Sequence, residues 1–268
     1  MGQDISVSND VNIVTSHITK IEGNVKDNKV MKKTRSSNVS PRKQIMNIAV
    51  DSISEMHQNL SSCNKLALIF CNSYYGTKYD LGDCAINDGL LCYNEFNSYH
   101  YKTFLFYDVT SIKFKEILKI SLGLNLDKLA LYFIGHGTQM KDVNGDEKDG
   151  KDECLVFKDK LVVDDEIAKI VNEKNTCKKL TLIADCCHSG SIYNIPPRSD
   201  IITISACKDS QTAKQDWINH KGNGVFSYYF WKYLPESNDG KMLKDKLDDK
   251  LKRYSQTCTF NYLTDEVI

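Results

Sequence analysis

The chain has 268 residues, an apolar fraction of 41%, and 35 basic side chains against 35 acidic ones. This length is enough for one large domain or two small ones with a real hydrophobic core. The balanced charge argues against a protein held non-specifically on nucleic acid. No stretch approaches the roughly 20 apolar residues that a membrane-spanning helix needs.

Ten cysteines are spread over the sequence, and none forms a C-x-x-C pair. The N-terminus lacks the basic start and apolar core of a secretory signal peptide. We therefore expect a reducing, cytoplasmic location, with most cysteines acting as small buried apolar side chains. The first six residues, MGQDIS, fit the pattern for N-myristoylation of Gly2, which predicts weak and reversible membrane attachment.

Residues 1–60 differ in composition from the rest of the chain. They have few aromatic side chains and contain a basic stretch, KVMKKTRSSNVSPRK. This composition predicts a flexible N-terminal arm or short pro-region, followed by a single domain over residues 61–268. The apolar spacing in RKQIMNIAVDSISEMHQNL, at Ile45, Ile48, Ala49, Ile53 and Met56, predicts one helix inside the arm.

Five short apolar runs with the character of buried strands follow, and helical patterns lie between them. The runs are KLALIFCN (65–72), KTFLFYDV (102–109), KLALYFIGHG (128–137), KKLTLIADCC (178–187) and DIITISAC (200–207). This alternation predicts an α/β fold with a mainly parallel sheet and helices on both faces. Ligands bind at the carboxyl ends of the strands in such sheets, so we expect the polar ends of the third and fourth runs at one edge.

The third run ends in GHG, with His136 at its centre, and the fourth ends in DCCHSG. If these strands are neighbours, His136 meets one of the two cysteines above the sheet. A thiol beside an imidazole can ionise to a nucleophile, and the imidazolium can then protonate a leaving amine. Alternate strand residues face opposite sides, so Asp185 and Cys187 share a face while Cys186 points into the interior. This parity favours Cys187 as the nucleophile.

These segments resemble a known family. YFIGHGTQ and IADCCHSGSIYNIPP are similar to the two signature segments of the metacaspases, in the caspase–legumain group of cysteine peptidases, and ISACKDSQTA and NGVFSYYFWKYL are similar to two further segments. The resemblance spans roughly residues 65–235. It implies a caspase-like fold and a monomeric cysteine endopeptidase with Cys187 as nucleophile and His136 as general base and acid. The backbone N–H groups of Gly137 and Cys187 would form the oxyanion hole.

The resemblance also implies a binding pocket for the residue before the scissile bond, lined by Asp185 and Asp88. Two carboxylates in a partly dry pocket bind a cation, so we expect protein or peptide substrates cleaved after Arg or Lys. The segment around Asp88 is one residue longer than the family pattern, which makes Asp83 a rival for this role. Alternatively, Asn87 and Asp88 cap the N-terminus of a helix.

The acid-rich segment that follows His136 raises the question of calcium. An EF-hand is rejected, because Glu147 occupies the loop position that requires glycine. The resemblance implies a different calcium site, stimulating activity, and built from Asp152, Asp164, Asp165 and Asn194. Asn194 stands where the family has an acid, so we expect weaker calcium binding. Alternatively, the run DDE at residues 164–166 simply begins a helix, where acids suit the helix dipole.

Three further alternatives remain open. One is a catalytically weak pseudo-peptidase that acts as a binding scaffold, suggested by Asn194 and by Ile134, which replaces a family serine. Another is a ligase that uses the same thioester. The basic arm is either cut by the enzyme itself, a blocker of the pocket, or a solvated tether.

Overall fold

The computed structural model describes residues 39–50, 54, 56, 60, 63–142, 145, 147 and 149–268. The predicted myristoylation site at Gly2 and most of the predicted arm lie outside these residues. Over the described residues, no helix is both long enough and apolar enough to cross a bilayer.

The strands are numbered in chain order. They are β1 (Lys65–Cys71), β2 (Lys102–Tyr107), β3 (Lys128–Ile134), β4 (Gly137–Lys141), β5 (Lys151–Val156), β6 (Leu161–Val163), β7 (Lys179–Asp185), β8 (Ile201–Ser205), β9 (Gln215–Ile218), β10 (Lys221–Gly224) and β11 (Thr259–Phe260). The α-helices are α1 (Pro41–Ile48), α2 (Asp83–Ser98), α3 (Ser111–Leu122), α4 (Asp164–Lys174), α5 (Val225–Tyr233) and α6 (Gly240–Leu251).

Six strands form the central sheet, in the order β11-β8-β7-β3-β1-β2. The pairs among β8, β7, β3, β1 and β2 are parallel, and the short edge strand β11 runs antiparallel to β8. The five predicted apolar runs are the five parallel strands. The predicted α/β fold with a mainly parallel sheet is therefore confirmed.

The sheet is buried on both faces, which explains why its strands are continuous apolar runs rather than alternating ones. Along β1, Leu66, Leu68 and Phe70 pack in a core with the apolar faces of α3 and α4. Their neighbours Ala67, Ile69 and Cys71 pack in a second core with α1, α2, α5 and α6. Two layers of helices thus fix the sheet and leave its carboxyl edge for the loops.

Two small antiparallel units stand beside this carboxyl edge. The sheet β4-β5-β6 begins at Gly137, directly after β3 ends, and the hairpin β9–β10 leads into α5. The acid-rich segment between His136 and α4 therefore belongs to a β-sheet and its connections, and not to a helix–loop–helix unit.

The folded unit begins before the predicted boundary at residue 61. Helix α1 starts at Pro41 behind the cap residue Ser40, and Ile45 is fully buried against the second core. The predicted helix does not run unbroken to residue 56: it is interrupted after residue 48, and Ser54 and Met56 are again helical. At the interruption Ala49 pairs in parallel with Leu105, and the Val50 N–H donates to the Leu105 carbonyl at 2.8 Å. Residues 49–50 thus extend along the edge strand β2 and do not continue the helix.

Candidate active site

Strand register brings the two predicted catalytic residues to the same place. Neighbouring strands β3 and β7 pair Ile134 with Asp185, so His136 and Cys187 each lie two residues beyond that pair. Strands in a sheet are about 4.8 Å apart. Both side chains line one cavity of about 230 Å³, which we call the catalytic cavity.

The two adjacent cysteines lie in different environments. Cys186 is 1% exposed and packs in the core beneath the sheet edge. Cys187 is partly exposed and lines the catalytic cavity, in keeping with the parity of the strand. The chain turns immediately afterwards, because His188 adopts a left-handed φ of 51°. Burial raises the pKa of the Cys187 thiol, so the resting thiol is protonated and needs a base to become a nucleophile.

The imidazole of His136 is held by the loop that follows β1. Its Nε2 atom lies 2.8 Å from the carbonyl oxygen of Tyr79. A carbonyl can only accept, so Nε2 must carry the hydrogen, which leaves Nδ1 of the neutral ring as the basic nitrogen. The Tyr74 ring packs against the imidazole with 4.8 Å between centroids, and the Tyr74 hydroxyl accepts the His136 backbone N–H at 2.8 Å.

Sequence reasoning did not identify Tyr74 or Tyr79. The available signal was their position, since both follow the carboxyl end of β1, where site loops lie in an open α/β sheet.

Gly137 fits between the two catalytic loops because it has no side chain. A Cβ atom there would collide with the carbonyl oxygen of Cys187 and would lie 2.9 Å from the Cys186 sulfur. The backbones of the GHG and DCCHSG segments therefore touch. The oxyanion-hole role of Gly137 stays a prediction.

The predicted pocket acids converge on the wall of the catalytic cavity. Asp185 Oδ2 accepts the Ser227 N–H at 3.1 Å and the Ser227 hydroxyl at 2.6 Å. Asp88 Oδ2 accepts the Gly224 N–H at 2.7 Å. A Cβ atom on Gly224 would lie 2.7 Å from Oδ2 of both acids, so this glycine leaves the room between them. The roles of Gly224 and Ser227 were not predicted from the sequence.

Burial shapes the charge of this pair. It raises the pKa of Asp185 to about 6, against the opposing effect of the Ser227 hydrogen bonds. Burial and the neighbouring charge of Asp185 raise the pKa of Asp88 well above its ordinary value. Asp88 Oδ1 is buried and has no hydrogen-bond partner among the described residues. A cation entering the cavity would supply that partner and favour the ionised carboxylates.

The rival assignments near Asp88 are decided by the helix. Helix α2 begins at Asp83 behind Gly82, so Asp88 lies inside the helix and the interpretation of Asn87 and Asp88 as its cap is wrong. Asp83 is exposed and does not line the catalytic cavity. Ile134 lines the cavity and is 3% exposed, which makes that part of the wall apolar.

A second group of acids lies beside the catalytic loops, and we call Glu147, Glu153 and Asp164 the acidic cluster. One carboxylate oxygen of each lies within 4.8 Å of those of the other two. Asp164 Oδ2 is buried and without a hydrogen-bond partner among the described residues. Carboxylate oxygens are the ligands that Ca²⁺ prefers, so the chemistry of the cluster fits a calcium ion, for which it would supply part of the roughly six to eight oxygen ligands.

The predicted calcium ligands are only partly in this cluster. Asp164 belongs to it: burial raises the pKa of Asp164 to about 7, and the charges of Asp165, Glu153 and the buried Asp152 add to this shift. Asn194 reaches the cluster through a 3.3 Å hydrogen bond from its amide to Glu147. Asp165 donates its backbone N–H to Asp164 Oδ1 at 2.9 Å. Glu147 and Glu153 were not among the predicted ligands.

Comparison with known proteins agrees with these features. The caspase domain family matches residues 64–262, well over half of the chain. Metacaspase-2 of Arabidopsis thaliana is 38% identical over 109 residues, which are 38% of this chain and 26% of that protein. Metacaspase-1 of Plasmodium falciparum is 29% identical over 193 residues, 57% of this chain and 31% of that protein. The chain thus spans about a quarter to a third of the length of these two relatives.

Solved structures support the fold. A protein from Geobacter sulfurreducens matches with a TM-score of 0.59 and 19% identity, over 75% of this chain and 93% of that one. Caspase-1 from Spodoptera frugiperda matches with a TM-score of 0.53 and 14% identity, over 74% and 86%. With the domain match and the metacaspase relatives, these similarities show that the chain belongs to the caspase-domain family of cysteine peptidases, as a metacaspase-like member.

Proposed function

We propose that this protein is a cysteine endopeptidase that cleaves after Arg or Lys through a dyad of Cys187 and His136. The observation that carries the proposal is the catalytic cavity itself. It is lined by a thiol, an imidazole and two buried carboxylates, all at the carboxyl edge of the sheet.

The chemistry follows from the protonation states. His136 Nδ1 takes the thiol proton as the Cys187 sulfur attacks the carbonyl carbon of the scissile bond. Backbone N–H groups of Gly137 and Cys187 stabilise the negative oxygen of the tetrahedral intermediate. As the C–N bond breaks, the imidazolium gives its proton to the leaving amine. In the second half of the reaction His136 removes a proton from water as the water oxygen adds to the carbonyl carbon of the thioester. The C–S bond then breaks, and the departing Cys187 sulfur takes that proton from the imidazolium.

The two acids set the substrate class. A guanidinium offers several N–H donors in a fixed fork, and the free oxygen of Asp88 is an acceptor for one of them. An Asp side chain in the same place would meet Asp88 and Asp185 as like charges. The partners that we propose are therefore proteins or peptides with an Arg or Lys before the scissile bond, and not nucleic acid.

Calcium is the proposed activator, held by the acidic cluster with help from Asp152. One link joins this cluster to the nucleophile loop, since the Ser191 hydroxyl donates to Glu153 Oε2. Ser191 lies four residues after Cys187, and its N–H also donates to Asp209 at 2.8 Å. An ion bound to Glu153 would thus act on the segment that carries the nucleophile.

The N-terminal segment contributes one observation on self-regulation. Arg42 of the basic stretch lies over the Tyr75 ring, 2.9 Å from its centroid, and not beside the cavity acids. Self-cleavage or blocking by the basic residues further upstream stays a proposal, because those residues lie outside the described part of the chain.

A peptide library with every residue in turn before the scissile bond tests the function. We expect turnover of Arg and Lys peptides, stimulated by Ca²⁺, and none of Asp peptides. Absence of turnover with every peptide and every Ca²⁺ concentration would favour the pseudo-peptidase scaffold. Ile134, which lines the cavity and replaces a family serine, is the residue that suggests this alternative. Transfer of the acyl group to an added amine in place of water would favour the ligase.

A further inference from the structure

We propose that Asp108 is a positioning residue that holds the imidazole of His136 in its reactive orientation, through the loop of residues 73–82. This inference rests on the proposed dyad of Cys187 and His136. Asp108 itself lies just beyond the end of β2 and does not line the catalytic cavity.

The carboxylate of Asp108 binds the start of the loop by three hydrogen bonds. Its Oδ1 atom accepts the N–H groups of Ser73 at 2.7 Å and of Tyr74 at 2.8 Å. Its Oδ2 atom accepts the Ser73 hydroxyl at 3.1 Å. The Ser73 and Tyr107 hydroxyls, 2.6 Å apart, add a further bond to β2. Hydrogen bonds to an ionised acceptor are about twice as strong as neutral ones, so we expect the carboxylate to supply the larger part of this anchor.

The two ends of the loop are joined at Ser73, the residue that Asp108 binds. The Leu81 N–H donates to the Ser73 carbonyl at 2.9 Å, which joins the two ends of the loop. Inside it, the Thr77 hydroxyl donates to the Tyr74 carbonyl at 2.8 Å and accepts the Tyr79 N–H at 3.1 Å. These hydrogen bonds connect Tyr74 and Tyr79 to each other and to Ser73, so we expect a change at Ser73 to be transmitted to both tyrosines.

Both tyrosines act on His136. The Tyr79 carbonyl accepts from Nε2 and so selects the tautomer in which Nδ1 is basic. The Tyr74 hydroxyl accepts the His136 N–H and donates to the Val156 carbonyl at 2.8 Å. A shift of the loop would therefore disturb the tautomer, the ring plane and the backbone of the catalytic histidine together.

Backbone conformation indicates that this arrangement is held in place by its contacts. Tyr74 has a φ of 56° and Asp108 a φ of 47°. This left-handed region is unfavourable for a bulky residue such as Tyr74, whereas Asp adopts it more readily. Such strain persists where surrounding interactions enforce it, and it occurs often at functional sites. The hydrogen bond from the Tyr74 N–H to the Asp108 carboxylate is one of the interactions that hold Tyr74 in this conformation.

The test is a comparison of Asp108→Ala with Asp108→Asn. Asparagine keeps an oxygen that can accept both N–H groups, so we expect it to retain activity within about threefold of the unmodified protein. Alanine removes all three bonds, and we expect kcat to fall about 10- to 100-fold while KM for an Arg peptide changes by less than about threefold. The cavity acids belong to α2 and β7, and Leu81 is the one residue of the loop that lines the cavity, so only a small change in substrate binding is expected.

Asp159→Ala is the matched control. Asp159 accepts the N–H and hydroxyl of Ser111, at 2.7 and 2.8 Å, in the same manner but at another connection. The variant Asp159→Ala should lower thermal stability about as much as Asp108→Ala does and leave kcat unchanged. If Asp108→Ala does not fold, Asp108→Ser, whose hydroxyl is too short to replace the carboxylate, carries the same test.

The second readout is the rate of iodoacetamide reaction at Cys187, followed by mass spectrometry against pH. Loss of imidazole assistance in Asp108→Ala should shift this reactivity to higher pH, as His136→Ala does, and Asp108→Asn should restore it. If Asp108→Ala keeps the kcat and the reactivity profile of the unmodified protein, the inference is wrong and the dyad stands. If His136→Ala itself leaves the profile unchanged, it is the proposed dyad that fails.

Discussion

The catalytic cavity and the acidic cluster both bury carboxylates, but they are built differently. In the cavity, Asp88 and Asp185 come from the interior of a helix and the end of a central strand, and they face an open space of about 230 Å³. In the cluster, Glu153 and Asp164 come from a small sheet and a helix start, and Glu147 comes from the connection between β4 and β5. Each region contains one buried carboxylate oxygen without a partner among the described residues.

Because the two regions are built differently, we propose a different ligand for each. The open cavity, with Ile134 on its wall beside two acids, suits the long cationic side chain that we propose as its occupant. The carboxylate oxygens of the cluster, within 4.8 Å of one another, suit the single ion that we propose there, which would offset their mutual repulsion. Four predictions test this assignment of ligands to the two regions, in order of decreasing expected effect.

The largest effect is expected from the nucleophile. Cys187→Ala should reduce turnover of an Arg peptide by a factor of about 10⁴ or more, because no other group in the cavity can form the thioester. Cys186→Ala is the control, since its sulfur is buried away from the cavity; it should lower stability but keep turnover. Turnover that survives Cys187→Ala would remove the cavity from the chemistry altogether.

Next come the pocket acids. Asp88→Asn or Asp185→Asn should reduce kcat/KM for an Arg peptide about 100-fold, since each removes a buried charge from the ion pair with the substrate. Asp83→Asn, in the same helix but exposed, should leave kcat/KM unchanged. Equal effects of Asp83→Asn and Asp88→Asn would show that a general loss of negative charge, and not the cavity, sets specificity.

The acidic cluster should respond to charge in both directions. Asn194→Asp adds a carboxylate beside Glu147 and should lower the Ca²⁺ concentration for half-maximal activity about tenfold. Glu153→Gln should raise it by at least as much. Both changes are measured by titrating peptidase activity with Ca²⁺ at a saturating concentration of an Arg peptide. A larger effect of Asp165→Asn than of Glu153→Gln would favour the ligand set implied by the family resemblance over the cluster.

The smallest effect concerns pH and stability. The folded-state pKa of Asp185 is about 6, above its ordinary value of 3.8, so the folded protein holds this proton longer than the unfolded chain does. The contribution of Asp185 to the free energy of unfolding therefore falls as pH rises from about 4 to about 6. Asp185→Asn should flatten that fall, which we expect to be about 4–8 °C in Tm over this range. Thermal unfolding of both proteins at several pH values measures it, and parallel curves would contradict the assignment.

Much of the fold was predictable because strands that are buried on both faces are continuous apolar runs, which are visible in the sequence. Five continuous apolar runs became five parallel strands, and the polar ends of β3 and β7 pointed to the functional edge. The parity argument that turned Cys186 inward agrees with its burial. The N-terminal helix was less predictable: its apolar spacing continued past residue 48, but pairing of Ala49 with β2 stopped the helix there.

The site was predictable only where a residue's chemistry is its signal. His136 and Cys187 stand out by type and by neighbours in the chain, whereas Tyr74, Gly224 and Ser227 act through a hydroxyl or a backbone N–H that most sequences could supply. The same holds for Glu147 and Glu153, two acids among many, which only the pairing of β4 with β5 and the start of α4 bring together.

Local patterns in the sequence were enough to place the strands, the edge where polar residues gather and the candidate catalytic side chains His136 and Cys187. These properties are local, since they depend on hydrophobic period, strand parity and side-chain chemistry. Tertiary structure decided which acids share a cavity, which tyrosines hold the imidazole and which carboxylates form the cluster. Those relations join residues up to 136 positions apart, as Asp88 and Gly224 are, and short-range patterns carry no information about such distances.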